Sequence, residues 1–511
     1  MRYFLCSIFI ISIASITSCR DDFNFEPSAG GLQFSKDTVY LDTVFSNISS
    51  STYTLKVYNR SNKNIAIPNI RLNKGQNSKF RLMVDGMPGK EFSNVEMLAK
   101  DSMFIFIEVT SDAASANASD FLYTDFIEFG SATNFQKVEL VTLVQDAYFL
   151  YPQKFSDGTT ETLPIDNQQI FGFLLDENDA INGNELVWEA TKPYVIYGYA
   201  AVPNGKTLTV KAGARIHFHA ESGLIVSNDA SLDVEGELSN TEALEKEVIF
   251  QGDRLEPLYE DVPGQWGTIW FTQGSTNNSI NHLTLKNATV GFLVSGNDGN
   301  LSNPLKIENT QIYNCTNVGI LARTGNIEGK NIVINNCGET AFAGTLGGSY
   351  DFTHCTFANY WFSPNQSCVV LNNFTQAPQG IISEPLTKAN FNNCIIYGSN
   401  NLAILHSNTN DTFEFKYSHC LIKFIDSRNQ FASNELYDFN DSSRFLNCII
   451  ATNTNQNKPD FKNTNKNQLI IGSNSIAKGT ANPSFSGFND ILGKSRTGAT
   501  DMGAYNFIVF E

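Results

Sequence analysis

Repetition constrains this chain more than any other feature. From about residue 187 onward, one kind of short segment recurs. The stretch His282-Leu283-Thr284-Leu285-Lys286-Asn287-Ala288 is followed by related stretches at 310–315, 331–337, 350–355, 389–394, 415–420 and 444–448. Each alternates apolar and polar residues and ends in Asn or His followed by a small residue, so each reads as a strand that stops at a turn. Successive cysteines of the series lie 22, 18, 39, 26 and 28 residues apart. Those gaps suit one coil of a parallel β-helix with loop insertions; the gap of 39 suits two short coils or one with a long insertion. Each coil adds a strand about 4.8 Å above the last, so equivalent positions stack. Asn at the turn can then bond to the Asn of the next coil while the small residue tucks inside. The predicted ladder runs through Asn287, Asn314, Asn336, His354, Asn393, His419 and Asn447. Cys315, Cys337, Cys355, Cys394, Cys420 and Cys448 form its buried stack of small hydrophobes. Parallel Cβ vectors give poor disulfide geometry. With Cys368, seven cysteines follow Cys19, and an odd count excludes a complete disulfide framework.

Residues 31–146 follow a different grammar. Tyr53-Thr54-Leu55-Lys56-Val57-Tyr58 alternates with period two, and 103–109 is a nearly continuous apolar run, as in a central strand. Stretches 121–129 and 138–144 add two more, and turn-rich pieces such as Asp85-Gly86-Met87-Pro88-Gly89 separate them. Some seven to nine short strands in this region predict a β-sandwich. The pattern looks like the immunoglobulin-like modules of bacterial surface proteins, without the paired cysteines of antibody domains. Residues 147–189 then form an N-terminal cap or connector, 190–470 the β-helix, and 471–511 a closing segment.

The N-terminus begins Met1-Arg2-Tyr3, followed by an apolar run over 4–16 that is too short to span a membrane. Ile16-Thr17-Ser18-Cys19 resembles the lipobox of bacterial lipoproteins. That resemblance implies a signal peptide over 1–18, a lipidated Cys19 and a linker over 19–30. Arg20-Asp21-Asp22 is similar to the tag of surface-displayed lipoproteins of the Bacteroidetes, which implies an outer-membrane lipoprotein exposed at the cell surface.

Two further stretches resemble right-handed β-helix lipoproteins of the Bacteroidetes. One runs from Gly205-Lys206-Thr207-Leu208-Thr209-Val210 through Gly223-Leu224-Ile225-Val226 to Gln265-Trp266-Gly267-Thr268-Ile269-Trp270-Phe271. The other is Asp490-Ile491-Leu492-Gly493-Lys494-Ser495-Arg496 with Asp501-Met502-Gly503-Ala504-Tyr505, similar to a family closing segment that usually carries prolines absent here. The resemblance covers roughly residues 187–507. It implies an all-β chain: an immunoglobulin-like sandwich followed by a right-handed, single-stranded parallel β-helix. About 11–14 coils would make a rod some 50–70 Å long. It implies no activity.

A net charge of -17 argues against nucleic acid as a partner, because phosphate binding needs clustered Lys and Arg. No catalytic set, metal site or cofactor motif is recognisable. Arg323, Lys330, Asp351 and His354 lie near successive strands and could meet, but read better as solvated surface with one ladder histidine. His217 and His219 stand two apart on one strand and read as exposed. The polar insertion 253–261 is a candidate ligand contact, through Asp253, Arg254, Tyr259 and the following Trp266: aromatic rings stack on sugars while Arg and carboxylates bond hydroxyls. Asp37-Thr38-Val39, Asp42-Thr43-Val44 and Asp101-Ser102-Met103 resemble O-glycosylation sites of the Bacteroidetes. The functional expectation is a non-enzymatic surface lipoprotein, joined to the membrane by its lipid, that presents a rigid β-helix to a glycan or a surface protein. A polysaccharide lyase or glycoside hydrolase, or a purely structural envelope protein, are the alternatives.

Overall fold

Alternating residues build the first of two units. The computed structural model describes residues 24–510 apart from 117–120, 132–133, 166–167, 297–302, 410 and 499; Cys19 and its neighbours Arg20, Asp21 and Asp22 lie outside them. The chain is all-β and divides into Met1–Asp146 and Ala147–Glu511. Among the described residues, no helix is long and apolar enough to cross a membrane.

Met1–Asp146 holds a six-stranded and a five-stranded sheet. Tyr53–Tyr58 pairs antiparallel with Ser102–Val109, which also pairs with Phe80–Val84. Leu55, Val57, Leu82, Ile105 and Ile107 fall on one face and share a core with Ile67, Ile70, Ile127, Val138 and Leu140 of the other sheet. The apolar run of Ser102–Val109 is central in its sheet, yet only one of its faces is buried. Phe104 and Phe106 point out, 49% and 41% exposed.

Ala147–Glu511 is built from three long sheets of eleven, ten and ten strands. The chain visits them in fixed rotation as far as Leu421–Lys423, after which the second sheet is skipped. Gln311–Cys315 lies in the first, Val318–Arg323 in the second and Asn326–Lys330 in the third, and Val333–Cys337 returns to the first to pair in parallel with Gln311–Cys315. One antiparallel hairpin, Thr162–Ile165 with Gln168–Leu174, starts the second sheet. Inward residues of all three sheets share a single apolar core that includes Trp188, Phe250, Trp266, Phe342 and Phe391; each such side chain contributes about 2–3 kcal/mol of burial. Eleven layers make roughly 50 Å, the short end of the expected length. The stretch 147–189 starts each sheet: Tyr148–Leu150 the first, the hairpin of Thr162–Ile165 and Gln168–Leu174 the second, and Val187–Trp188 the third.

Register corrects the single predicted ladder. Lys286 faces Tyr313 and Cys315 faces Cys337, so Asn287, Asn314 and Asn336 stack at the C-terminal ends of the first sheet's strands. Asn314 Nδ2 donates to Asn287 Oδ1 (3.4 Å) and Asn336 Nδ2 to Asn314 Oδ1 (2.7 Å). Val333, however, faces Thr356 and Thr356 faces Ile395. His354, Asn393, His419 and Asn447 therefore stack above Asn309 and Asn331, where the chain enters the first sheet from the third. Asn331 Nδ2 donates to Asn309 Oδ1 (2.8 Å), Asn393 Nδ2 to His354 Nε2 (2.9 Å) and Asn447 Nδ2 to His419 Nε2 (3.1 Å). There are thus two ladders at opposite ends of one sheet, and the 18-residue gap between Cys337 and Cys355 is a crossing from one to the other. All these Asn and His residues hold φ between 47° and 68°, the left-handed region that Asn and His tolerate best. The 39-residue gap is one circuit whose insertion carries the hairpin Phe374–Ala377 with Gly380–Ser383. All seven thiols are free; six are buried and Cys448 is half-buried. Cys368 sits apart from both ladders, in the second sheet.

The closing segment does not stop the stack. It lies across the outward face of the first sheet, where Ile491, Ala504 and Tyr505 meet Tyr313, Val333 and Ala358. Arg496 is its bolt, donating to Asn331 Oδ1 (2.9 Å) and to the carbonyls of Gly503 and Ala504 (both 3.0 Å). Asp490 accepts from the amides of Leu492, Lys494 and Asn506, while Asp501 accepts from those of Gly479 and Phe507. The last layer is covered instead by an aromatic group from the segment after Phe424, in which Tyr437 stacks on Phe424 and Phe439 packs on Phe445.

Candidate functional site

The insertion 253–261 turns inward on itself. Asp253 is buried and its Oδ2 lies 2.7 Å from His219 Nδ1. Arg254 grips Glu256 and lies over the Tyr259 ring, 4.1 Å from its centroid. The carbonyl of Glu260 accepts from Asn287 Nδ2 and the carboxylate of Asp261 from Asn314 Nδ2, so the loop closes the first ladder. Trp266 is 1% exposed. It stacks on Phe218 at 4.4 Å and donates its indole N–H to the carbonyl of Lys286. Trp266 therefore belongs to the core and presents nothing to a ligand; of the four predicted contacts, Arg254 and Tyr259 alone remain at the surface.

The reading of His217 as exposed is also corrected. It is 4% exposed beneath the same loop, donates Nδ1–H to the carbonyl of Gly252 (3.1 Å), and is pushed down to about 4 by burial. His219 is half-exposed and raised by its bond to Asp253. Among the described residues, no group of three His, Cys, Asp or Glu side chains could hold a metal. Nor do Arg323, Lys330, Asp351 and His354 converge. Lys330 is held by Glu308 (3.2 Å) and Glu328 (3.3 Å), and Asp351 by Lys388 (3.2 Å). His354 is buried under the closing segment, where Nε2 meets both Asn393 Nδ2 and Ser486 Oγ at 2.9 Å; burial pushes it down to about 3.

Arg323 stands elsewhere, in a groove of about 800 Å³ along one edge of the second sheet. Its wall on one side is the hairpin Thr162–Ile165 with Gln168–Leu174, through Pro164 and Ile165. The floor follows the turns after successive strands, from Asn204 and Asn228 past Gln273 and Ser295 to Thr324. Those turns come from consecutive layers, so the groove spans roughly 20 Å. Trp270 faces out of Ile269–Phe271 because its neighbours Ile269 and Phe271 face in. Its ring packs against the buried group of Leu163, Ala201 and Ile225, and its N–H donates to Ser295 Oγ (2.9 Å). The Arg323 guanidinium has no carboxylate partner among the described residues. The groove thus combines a fixed aromatic face, an unpaired guanidinium and a row of amide and hydroxyl groups. Trp266, the tryptophan singled out from the sequence, is buried, and the one that lines the groove is Trp270. The period-two rule, applied within Ile269-Trp270-Phe271, points to Trp270.

No family model matches this chain, and no curated protein does. Among solved structures, it is similar to PapD-like domain 7 of human CEP192, at 9% identity over 26% of this chain and 96% of that chain, with a TM-score of 0.15. It is also similar to a family 123 glycoside hydrolase from Clostridium perfringens, at 10% identity over 24% of this chain and 30% of that chain, with a TM-score of 0.16. At such scores neither likeness bears on the fold or the function of this chain.

Proposed function

We propose that this chain is a non-enzymatic surface lipoprotein, held to the outer membrane through a lipid on Cys19, whose second unit binds an extended glycan. On this reading Met1–Asp146 carries an immunoglobulin-like sandwich and Ala147–Glu511 is a right-handed parallel β-helix. The fixed rotation among three sheets and their single common core support the β-helix. The groove at Trp270 and Arg323 carries the functional reading. Its length over several layers suits a chain, its aromatic ring suits a sugar face, and its Arg and Asn side chains suit hydroxyl or acidic groups. Rigid layers hold these groups in place without ligand, which lowers the ordering cost of binding.

The test uses the full chain in mild detergent on a glycan array and a polysaccharide panel, with and without calcium. Binding without cleavage, lost in Trp270→Ala and Arg323→Ala and kept in Arg254→Ala, is the expected result. Unsaturated products or new reducing ends would replace it with the lyase or hydrolase reading. Silence throughout would favour a structural role. Intact-mass analysis of the native protein checks the lipid on Cys19, which Cys19→Ala removes, and any sugar at Asp37, Asp42 or Asp101 triplets.

A further inference from the structure

A second cavity, of about 600 Å³, opens between the outward face of the first sheet and the loop 454–460. Its lining includes Tyr397 and Lys423 from the last strands of that sheet, with Tyr360, Lys458 and Asp460 around them. Lys423 is 6% exposed. Its ammonium donates to the carbonyls of Gly398 (2.8 Å) and Ser399 (3.1 Å) and lies 5.3 Å from the Tyr397 ring centroid. Among the described residues it has no carboxylate within ion-pair distance. A buried charge is ordinarily matched by an opposite one, and burial alone pushes this lysine down.

Two further observations point the same way. Tyr397 is also 6% exposed, and its hydroxyl makes no hydrogen bond among the described residues; nor does that of Tyr360. Tyr360 is half-buried, and both tyrosines line the cavity, where their hydroxyls can donate to and accept from a ligand. Lys458 is exposed and, among the described residues, carries no ion pair. Asp460, which accepts the amide N–H of Asn474 at 3.0 Å, adds an acceptor.

We propose that this pocket binds a carboxylated sugar, its carboxylate on Lys423 and Lys458 and its hydroxyls on Tyr397, Tyr360 and Asp460. The volume suits one or two sugar rings, and the mixture of donors, acceptors and aromatic faces suits hydroxyls better than a bare anion. A pocket takes a monosaccharide or a chain end, where the groove takes a chain's middle. The inference rests on the pocket alone, whatever the groove binds.

The experiment is calorimetric titration of the full chain in mild detergent with glucuronic acid, galacturonic acid, glucose and glucose 6-phosphate. At least one uronate is expected to bind about tenfold or more tighter than glucose, as for a charge-assisted bond. Lys423→Met abolishes that preference. Tyr397→Phe removes a hydroxyl with no partner, so it leaves the fold intact and weakens the uronate about threefold to tenfold. Uronate binding that Trp270→Ala removes and Lys423→Met spares would belong to the groove and overturn the assignment. Equal binding of glucose, tighter binding of glucose 6-phosphate, no heat from any sugar, or unchanged affinity in Tyr397→Phe overturns the assignment.

Discussion

The two units bury similar residues by different rules. In Met1–Asp146, Ser102–Val109 pairs with Tyr53–Tyr58 and Phe80–Val84, and every cross-strand contact occurs once. In Ala147–Glu511 the same kinds of residue recur in columns, so a side chain in one layer meets its counterpart in the next. Phe352 and Phe391, paired in register, stack at 5.4 Å, and Phe391 and Tyr417 at 4.8 Å. The first unit can therefore accept a change locally, while the stack passes it to the layers above and below. A composition difference makes the comparison measurable: all six histidines and all four tryptophans lie in the second unit.

Acid should separate the units most. Burial pushes His217 and His406 down to about 4 and His354 to about 3. Unfolded histidine takes a proton near pH 6.5 and these do not. The stability they allow is whole above pH 6.5 and is lost as pH falls toward 4, on the order of 3 kcal/mol for each. Glu247 and Glu185, raised by burial, offset part of this because they take up protons more readily in the folded state. In the first unit Asp112, held at about 2 by its bonds to Lys79 and Ser115, gives way in a lower window, as pH falls from about 4 toward 2. Thermal melts followed by tryptophan fluorescence should drop between pH 6.5 and 4.5, less steeply in His406→Gln. A flat profile would break the contrast.

Next in size is the difference between inside and outside within the stack. Trp266→Ala should cost about 3–5 kcal/mol in denaturant melts followed by circular dichroism. Trp270→Ala, facing out, should cost under about 1 kcal/mol. Equal costs would mean that the groove tryptophan also serves the core.

A smaller effect compares two left-handed asparagines. Asn336 (φ 59°) bonds Asn314, whereas Asn94 (φ 53°) in the first unit is exposed and makes no side-chain bond among the described residues. Asn336→Ala loses both backbone fit and the ladder bond, about 2 kcal/mol, and Asn336→Gly loses chiefly the bond, about 1 kcal/mol. Asn94→Ala loses only the fit. Chemical denaturation should find Asn336→Ala the most destabilised of the three, with the other two about equal.

These differences explain what the sequence made legible. Alternation at Tyr53–Tyr58 marks a strand and its inward face directly. Continuous apolarity at 103–109 marks a strand but hides that Phe104 and Phe106 face out. The Asn-then-small pattern marks left-handed corners, and both ends of the first sheet need the same residue there, so two ladders look like one until register separates them. Arg496 reaches Asn331 across 165 residues, a distance no local pattern spans. The groove was hidden because its groups come one per layer.

The smallest effect concerns the thiols, and it tests whether the column is there for volume or for chemistry. Cys355, Cys394 and Cys420 are fully buried in register, with Cys448 half-buried at the end. Burial pushes the Cys394 thiol well above its ordinary range, which leaves it without a reactive thiolate. Native alkylation followed by mass spectrometry should label Cys448 first and spare the other three until unfolding. If volume is the column's purpose, Cys394→Ala costs about 1 kcal/mol, and Cys394→Ser costs more because a hydroxyl replaces a soft hydrophobe. A Ser variant as stable as the Ala one would mean that the corner supplies hydrogen-bond partners for a polar atom, and that the column resembles the asparagine ladder beside it more than the aromatic stack within.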